Sequence, residues 1–162
     1  MDDIKKEIVG QILASLASQI STAERGLRDA TIEFKAHKGA MESRYDTFKE
    51  EAEYLAGGFG RQVETLSKSV HELQNLLVNP PKIDRCSVYA FVEVEDQDDG
   101  SRLKFFFLPT GGGHTYEASE GKIIVVYIGA PIARALIGAT AYDTVEAKIG
   151  GTTRSFRVIS VK

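Results

Sequence analysis

Phe34-Lys35-Ala36-His37-Lys38-Gly39-Ala40-Met41 separates two helical patterns that mirror one another. Upstream, apolar residues fall at Leu16, Ile20, Ala23, Leu27, Ala30 and Phe34; downstream they fall at Met41, Tyr45, Phe48, Ala52, Leu55 and Phe59. Steps of three and four make the seam of a coiled coil, which faces one partner helix rather than a broad core. Folding the chain back between His37 and Lys38 sets Phe34 level with Met41, Ala30 with Tyr45, Leu27 with Phe48, Ala23 with Ala52, Ile20 with Leu55 and Leu16 with Phe59. The pattern predicts an antiparallel coiled-coil hairpin over 1–79 with its tip near 37–40. Gly39 suits a helix end there, because it takes a left-handed conformation without a Cβ clash.

Arms of about 35 residues, at about 1.5 Å per residue, give a rod roughly 50 Å long. A two-helix rod buries only a seam, so it either leans on another domain or probes a partner. The second arm carries Leu55-Ala56-Gly57-Gly58-Phe59-Gly60, and a helical glycine costs about 1 kcal/mol relative to alanine. In the register above, these glycines oppose Ala14, Ser15, Ala17 and Ser18. Both arms are then thin at one level, which predicts close helix approach or a mild kink; a hinge or a receiving groove is the functional alternative.

Below the expected tip, Glu42, Asp46 and Glu50 are spaced four apart and form one stripe of a helix face. Like charges at that spacing repel by a few tenths of a kcal/mol per pair, roughly. The stripe suits a cation or a basic wall, and equally a solvated face relieved by Arg44 and Lys49.

Val78-Asn79-Pro80-Pro81-Lys82 ends the helical half, since prolines remove backbone donors and disfavour helix before them. Beyond it the period changes, and a second domain is expected over 80–162. Strands are expected at 87–95, 102–108 and 122–127, with Pro109 to His114 as a flexible glycine-rich loop that lacks phosphate-binding spacings. Phe105, Phe106 and Phe107 read as one or two core residues with exposed neighbours. Ala130-Pro131-Ile-Ala-Arg134-Ala-Leu-Ile-Gly138 has proline at a first helical position and glycine after the last, so a short helix is expected. Residues 143–149 and 153–161 form a hairpin across Gly150-Gly151. The fold class is α+β: a helical hairpin followed by a small antiparallel sheet with one short helix.

The chain has 162 residues and a formal net charge of −3, with the excess of acids before Asn79. No Lys/Arg run is interleaved with aromatics, which argues against direct nucleic-acid binding as the main activity. The single cysteine, Cys86, excludes an intrachain disulfide and a multi-cysteine metal site; it reads as a small, partly buried residue at a strand start. Acids precede the lysines at the N-terminus and no apolar run of signal length follows, so a cytoplasmic protein without a membrane span is expected.

The segment Ala130 to Gly138, then Asp143, Gly150-Gly151 and Phe156-Arg-Val-Ile-Ser-Val161, resembles the C-terminal signature of the bacterial Gre transcript-cleavage factors, Ser-Pro-(Ile/Leu)-(Ala/Gly)-Arg-x-Leu-(Ile/Leu)-Gly before a final hairpin. Lys49-Glu50-Glu51-Ala52-Glu53-Tyr54 is similar to the family's Lys-Glu-Asn-Ala-Glu-Tyr. The resemblance implies an FKBP-like C-terminal domain that docks on RNA polymerase, here through Ile132, Arg134 and Leu136, while the coiled coil enters the secondary channel. It also implies that tip carboxylates share Mg²⁺ with the polymerase, binding none tightly themselves, and contact RNA only within that complex. Glu42, Asp46 and Glu50 are the candidate metal ligands, with Asp46 and Glu50 the candidate catalytic pair; carboxylates are hard donors that suit Mg²⁺.

On this reading the protein is a monomer without intrinsic enzymatic activity, a cofactor of the polymerase's own cleavage. In the family's tip, Gly-Asp-x-x-Glu-Asn-Ala-Glu-Tyr, the glutamate falls on Glu50 but the aspartate falls on Thr47, beside Asp46. The displaced acids leave two roles open: stimulation of cleavage, or occupation of the channel without it. An FKBP-like isomerase or chaperone, or a coiled-coil adaptor, is the alternative of a different class, although the chain has no tryptophan to floor an isomerase pocket.

Overall fold

The computed structural model describes residues 2–36 and 42–162, with side chains at all of these except 34–36, 42–46 and 48. The tip expected at 37–40 therefore lies outside the described residues. Helices α1 (Asp3–Ala36) and α2 (Glu42–Val78) come first. Strands β1 (Phe91–Asp96), β2 (Arg102–Leu108), β3 (His114–Ala118) and β4 (Gly121–Tyr127) follow, then α3 (Pro131–Leu136), β5 (Thr144–Ile149) and β6 (Thr152–Val161). The chain divides into two compact units, one of Gly10–Val78 and one of Met1–Val9 with Asn79–Lys162.

Within the helical unit, Ala23, Leu73 and Leu76 are buried. The register differs from the one the apolar pattern predicts. Phe59 lies against Gly26 rather than level with Leu16: a Cβ placed on Gly26 would be 2.7 Å from the Phe59 Cζ. Ser18, Gln19, Thr22 and Ala23 line an open groove with Phe59 and Gln62. Leu55, expected in the seam, is 50 % exposed. The physical reason is that a pattern of threes and fours nearly repeats after each heptad, so several registers match apolar to apolar. The missing side chain at Gly26 selects the register that admits the Phe59 ring.

The second unit is a six-stranded sheet in the order β3-β4-β2-β1-β6-β5. It is mixed rather than wholly antiparallel, because β2 pairs with β4 in parallel, Phe105 beside Ile124 and Phe107 beside Val126. The cause is β3, an edge strand where the sequence pattern gives no element between the loop ending at His114 and the strand expected at 122–127. Its hairpin with β4 reverses the chain twice between β2 and β4. Gly112 makes the crossover possible: its φ is 118°, and a Cβ there would stand 2.6 Å from the Tyr127 amide nitrogen. β1 begins at Phe91, so Cys86 sits before it in a turn. There Cys86 N–H donates to Ala139 O and its carbonyl accepts from Gly138 N–H, both at 2.8 Å. Burial pushes its thiol pKa up to about 11.

One face of the sheet carries Val92, Val94, Phe105, Phe107, Ala147, Phe156 and Val158, packed with Ala133 and Leu136 of α3. The register places Phe91, Phe106 and Val125 together on the opposite face, and all three are buried. Phe105, Phe106 and Phe107 are thus all core residues, against the expectation that some would be exposed. The start of α1 belongs to the same unit and is bonded to it. Ile4, Ile8 and Val9 are buried in this unit, and Glu7 accepts from Ser119 Oγ at 2.8 Å and from Ser119 N–H at 3.1 Å. Asp2 pairs with Lys162 at 3.1 Å.

The β1–β2 turn is tied to β6 by one guanidinium. Asp96 is fully buried, Arg154 Nη1 stands 3.2 Å from its Oδ2, and Arg154 Nη2 donates to Asp99 Oδ2 at 3.3 Å. Asp96 Oδ1 accepts from Asp98 N–H at 2.9 Å, whereas Oδ2 has no hydrogen bond of good angle and depends on the ion pair. No described helix is long and apolar enough to cross a membrane.

Candidate functional site

The residues singled out in the sequence fall at two places, one in each unit. On α2, helical backbone runs without interruption through 42, 46 and 50, which puts these positions on one face by their spacing of four. Glu50 is exposed, as are its neighbours Lys49, Glu51 and Glu53. The side chains of Glu42 and Asp46 lie outside the described set. Tyr54 is 77 % exposed immediately after this acidic run. Among the described residues, no three His, Cys, Asp or Glu side chains form a group able to hold a metal ion.

The second place is α3. Pro131 occupies its first turn, Ala130 precedes it in an extended conformation, and the Ile137 N–H closes on Ala133 O at 2.9 Å. Gly138, at φ 83°, ends the helix in the left-handed conformation that glycine takes freely. Ala133 and Leu136 anchor it in the core, with Ile132 partly buried against the same cluster. Leu136 is therefore a support within the sheet domain, and Arg134 is the exposed member of the three.

Two neighbours of α3 carry no signal in the residue pattern. Ile137 is 46 % exposed directly after the helix. Tyr142 is exposed at φ 76°, a strained conformation for a side chain of its size. Its backbone is clamped in place: Tyr142 N–H donates to Val158 O at 2.8 Å, and the Asp143 carboxylate accepts from Thr140 N–H at 2.8 Å and Thr140 Oγ1 at 2.9 Å. Those bonds hold the Asp143 carboxyl below the usual carboxylate range. α3 and the segment that follows it thus form a partly apolar platform that carries one exposed cation, Arg134.

Comparison with known proteins gives the family. The transcription elongation factor GreA of Neisseria meningitidis serogroup A is 28 % identical over 161 residues, covering 96 % of this chain and 92 % of that protein. GreA of Brucella canis is 31 % identical over 121 residues, covering 70 % of this chain and 71 % of its own length. The chain belongs to the Gre family of transcription elongation factors. No family model matches it. Among solved structures, GreA factor homolog 1 of Thermus thermophilus aligns over 93 % of this chain and 94 % of its own, at 15 % identity and a TM-score of 0.38.

Proposed function

We propose that this protein binds RNA polymerase, docking through the α3 platform with Arg134 as its exposed cation and presenting the helical hairpin to the secondary channel. The observation that carries the reading is family membership over most of the chain, joined to α1 and α2, helices of 34 and 37 residues. Helices of that length in a pair provide reach rather than core.

Within that complex, Glu42, Asp46 and Glu50 are assigned to the approach to the polymerase's Mg²⁺. The donor chemistry fits, since carboxylates are hard oxygen ligands. Three carboxylates from one helix face do not fill the shell of an ion that takes about six oxygen ligands, so this chain contributes to a site that the polymerase completes. A bound Mg²⁺ would supply activation of the water that cuts backtracked RNA. The chain's own part is to bring negative charge to that ion and to hold the helix in the channel. A second reading, occupation of the channel without cleavage, is favoured by Thr47, which stands where the family's aspartate is expected.

The test is RNA cleavage in a purified backtracked complex under limiting Mg²⁺, comparing the native protein with Asp46→Ala/Glu50→Ala. Transcript shortening by the native protein, lost in a double variant that still binds, establishes the catalytic role of the acids. Binding and competition with a cleavage factor, without shortening by either form, establishes the occupying role. If neither binds, the polymerase reading is wrong.

A further inference from the structure

Tyr142 stands in the connection between α3 and β5 with its backbone in the left-handed region, at φ 76°. Bonds on both sides impose that conformation. Tyr142 N–H donates to Val158 O and Val158 N–H donates to Asp143 O, each at 2.8 Å, while Asp143 N–H closes on Thr140 O at 3.1 Å. All of these are backbone bonds, so the fold requires the backbone shape at this position and not the ring. Glycine takes that shape freely, whereas a Cβ makes it costly. In the same connection the chain does use glycine at positive φ: Gly138 lies at 83°.

Within the chain the ring gains little that would offset this strain. Tyr142 is 73 % exposed, and its hydroxyl bonds to no described residue. Tyr89, the other described non-glycine residue at positive φ, differs in being half-buried. Strained residues persist where the surrounding structure over-determines them, and they cluster at functional sites. A tyrosine held there and left in solvent has the properties of a binding group: an apolar ring with few rotatable bonds and a polar tip, of the type that dominates protein interfaces. Its surroundings agree. Ile137 is also exposed, Arg134 is the exposed cation of α3, and α3 packs against β5, which begins just after Tyr142.

Resting on the polymerase-docking reading, we infer that Tyr142 is the anchor that sets the strength of docking. Its ring enters an apolar pocket on RNA polymerase and its hydroxyl bonds an acceptor at the rim, while Arg134 meets a carboxylate of the same surface. The test compares two measurements on the full chain: affinity for purified RNA polymerase by fluorescence anisotropy, and thermal unfolding of the free protein. Tyr142→Gly should unfold at the same temperature as the native chain or higher, because glycine relieves the backbone, yet bind roughly tenfold more weakly. Tyr142→Phe, which keeps the ring, should bind more tightly than Tyr142→Gly and less tightly than the native chain. A lower unfolding temperature for Tyr142→Gly would make the ring a support of the fold and overturns the inference. So does binding by Tyr142→Gly as tight as the native; if Arg134→Ala is weakened in that case, the docking reading stands without this anchor. If the native protein does not bind, the docking reading fails and the inference with it.

Discussion

The ring of Phe59 occupies the space that a side chain on Gly26 would fill, with Cζ 2.7 Å from the position of a Cβ. This contact fixes how the two long helices are set against each other. It also separates the glycines of the helical unit into one that is needed and several that are not.

Gly26→Val should destabilise the protein by about 1–3 kcal/mol, the usual range for overpacking, because the Phe59 ring must move out of the helix pair. Urea denaturation followed by circular dichroism measures it. Gly26→Val/Phe59→Leu should recover part of the loss, since the smaller side chain vacates the space.

Gly10, Gly58 and Gly60 behave in the opposite way, because nothing stands within 4 Å of a Cβ at any of them. Each replaced by alanine should raise stability by up to about 1 kcal/mol through helix propensity. If Gly58→Ala/Gly60→Ala is more stable yet loses polymerase-dependent activity, bending at that level is part of the function; unchanged activity makes the glycines incidental.

Arg154→Met removes the guanidinium from a carboxylate that is fully buried, Asp96. A loss of about 3 kcal/mol is expected, the low end for an uncompensated buried charge, as Arg154 is itself partly exposed. Asp96→Asn in the same chain should return much of it, and a double-mutant cycle on thermal unfolding reads the coupling.

Asp143 predicts a pH dependence with a definite sign. Its carboxyl is held below 3.8 by bonds from Thr140, so the folded state binds this proton less readily than the unfolded chain. The stabilisation is present above the unfolded value and is lost as pH falls through the folded one. Asp143→Asn should remove that part of the acid sensitivity while leaving the slope near neutral pH unchanged, measured by unfolding at a series of acidic pH values.

Phe106→Ala should cost about 3–5 kcal/mol, as for a fully buried large aromatic. Ile8→Ala should cost about 2–5 kcal/mol on the same cooperative transition, because it packs in the same unit at 0 % exposure. A much smaller effect of Ile8→Ala would mean that the first turns of α1 are dispensable to the sheet.

The α+β order, both long helices, α3 and the β5–β6 hairpin are written in local signals: apolar steps of three and four, Pro131 with Gly138, and Gly150-Gly151 between alternating runs. The helix register is not, since a heptad pattern matches itself after a shift and only a glycine contact decides between shifts. β3 escapes notice because Thr115-Tyr116-Glu117-Ala118 is a short edge strand with little apolar alternation, and without it the parallel β2–β4 pair is invisible. The buried run Phe105-Phe106-Phe107 belongs to a strand buried on both faces, in a unit that also takes in Ile4 and Ile8, about 100 positions away, beyond any local signal. At the candidate site, Arg134 could be picked out as a cation between apolar helix positions, whereas Tyr142 depends on a backbone conformation that residue types alone do not express.

The place of Ile4 and Ile8 in the sheet unit sets an order on the protein's synthesis. The apolar start of α1 leaves the ribosome well before the strands of its own unit, which are made after both long helices. Chain growth at about 5–20 residues per second leaves Ile4 and Ile8 without their sheet for several seconds. The unit is not completed by its strands alone; it must reach back across both long helices for Ile4 and Ile8.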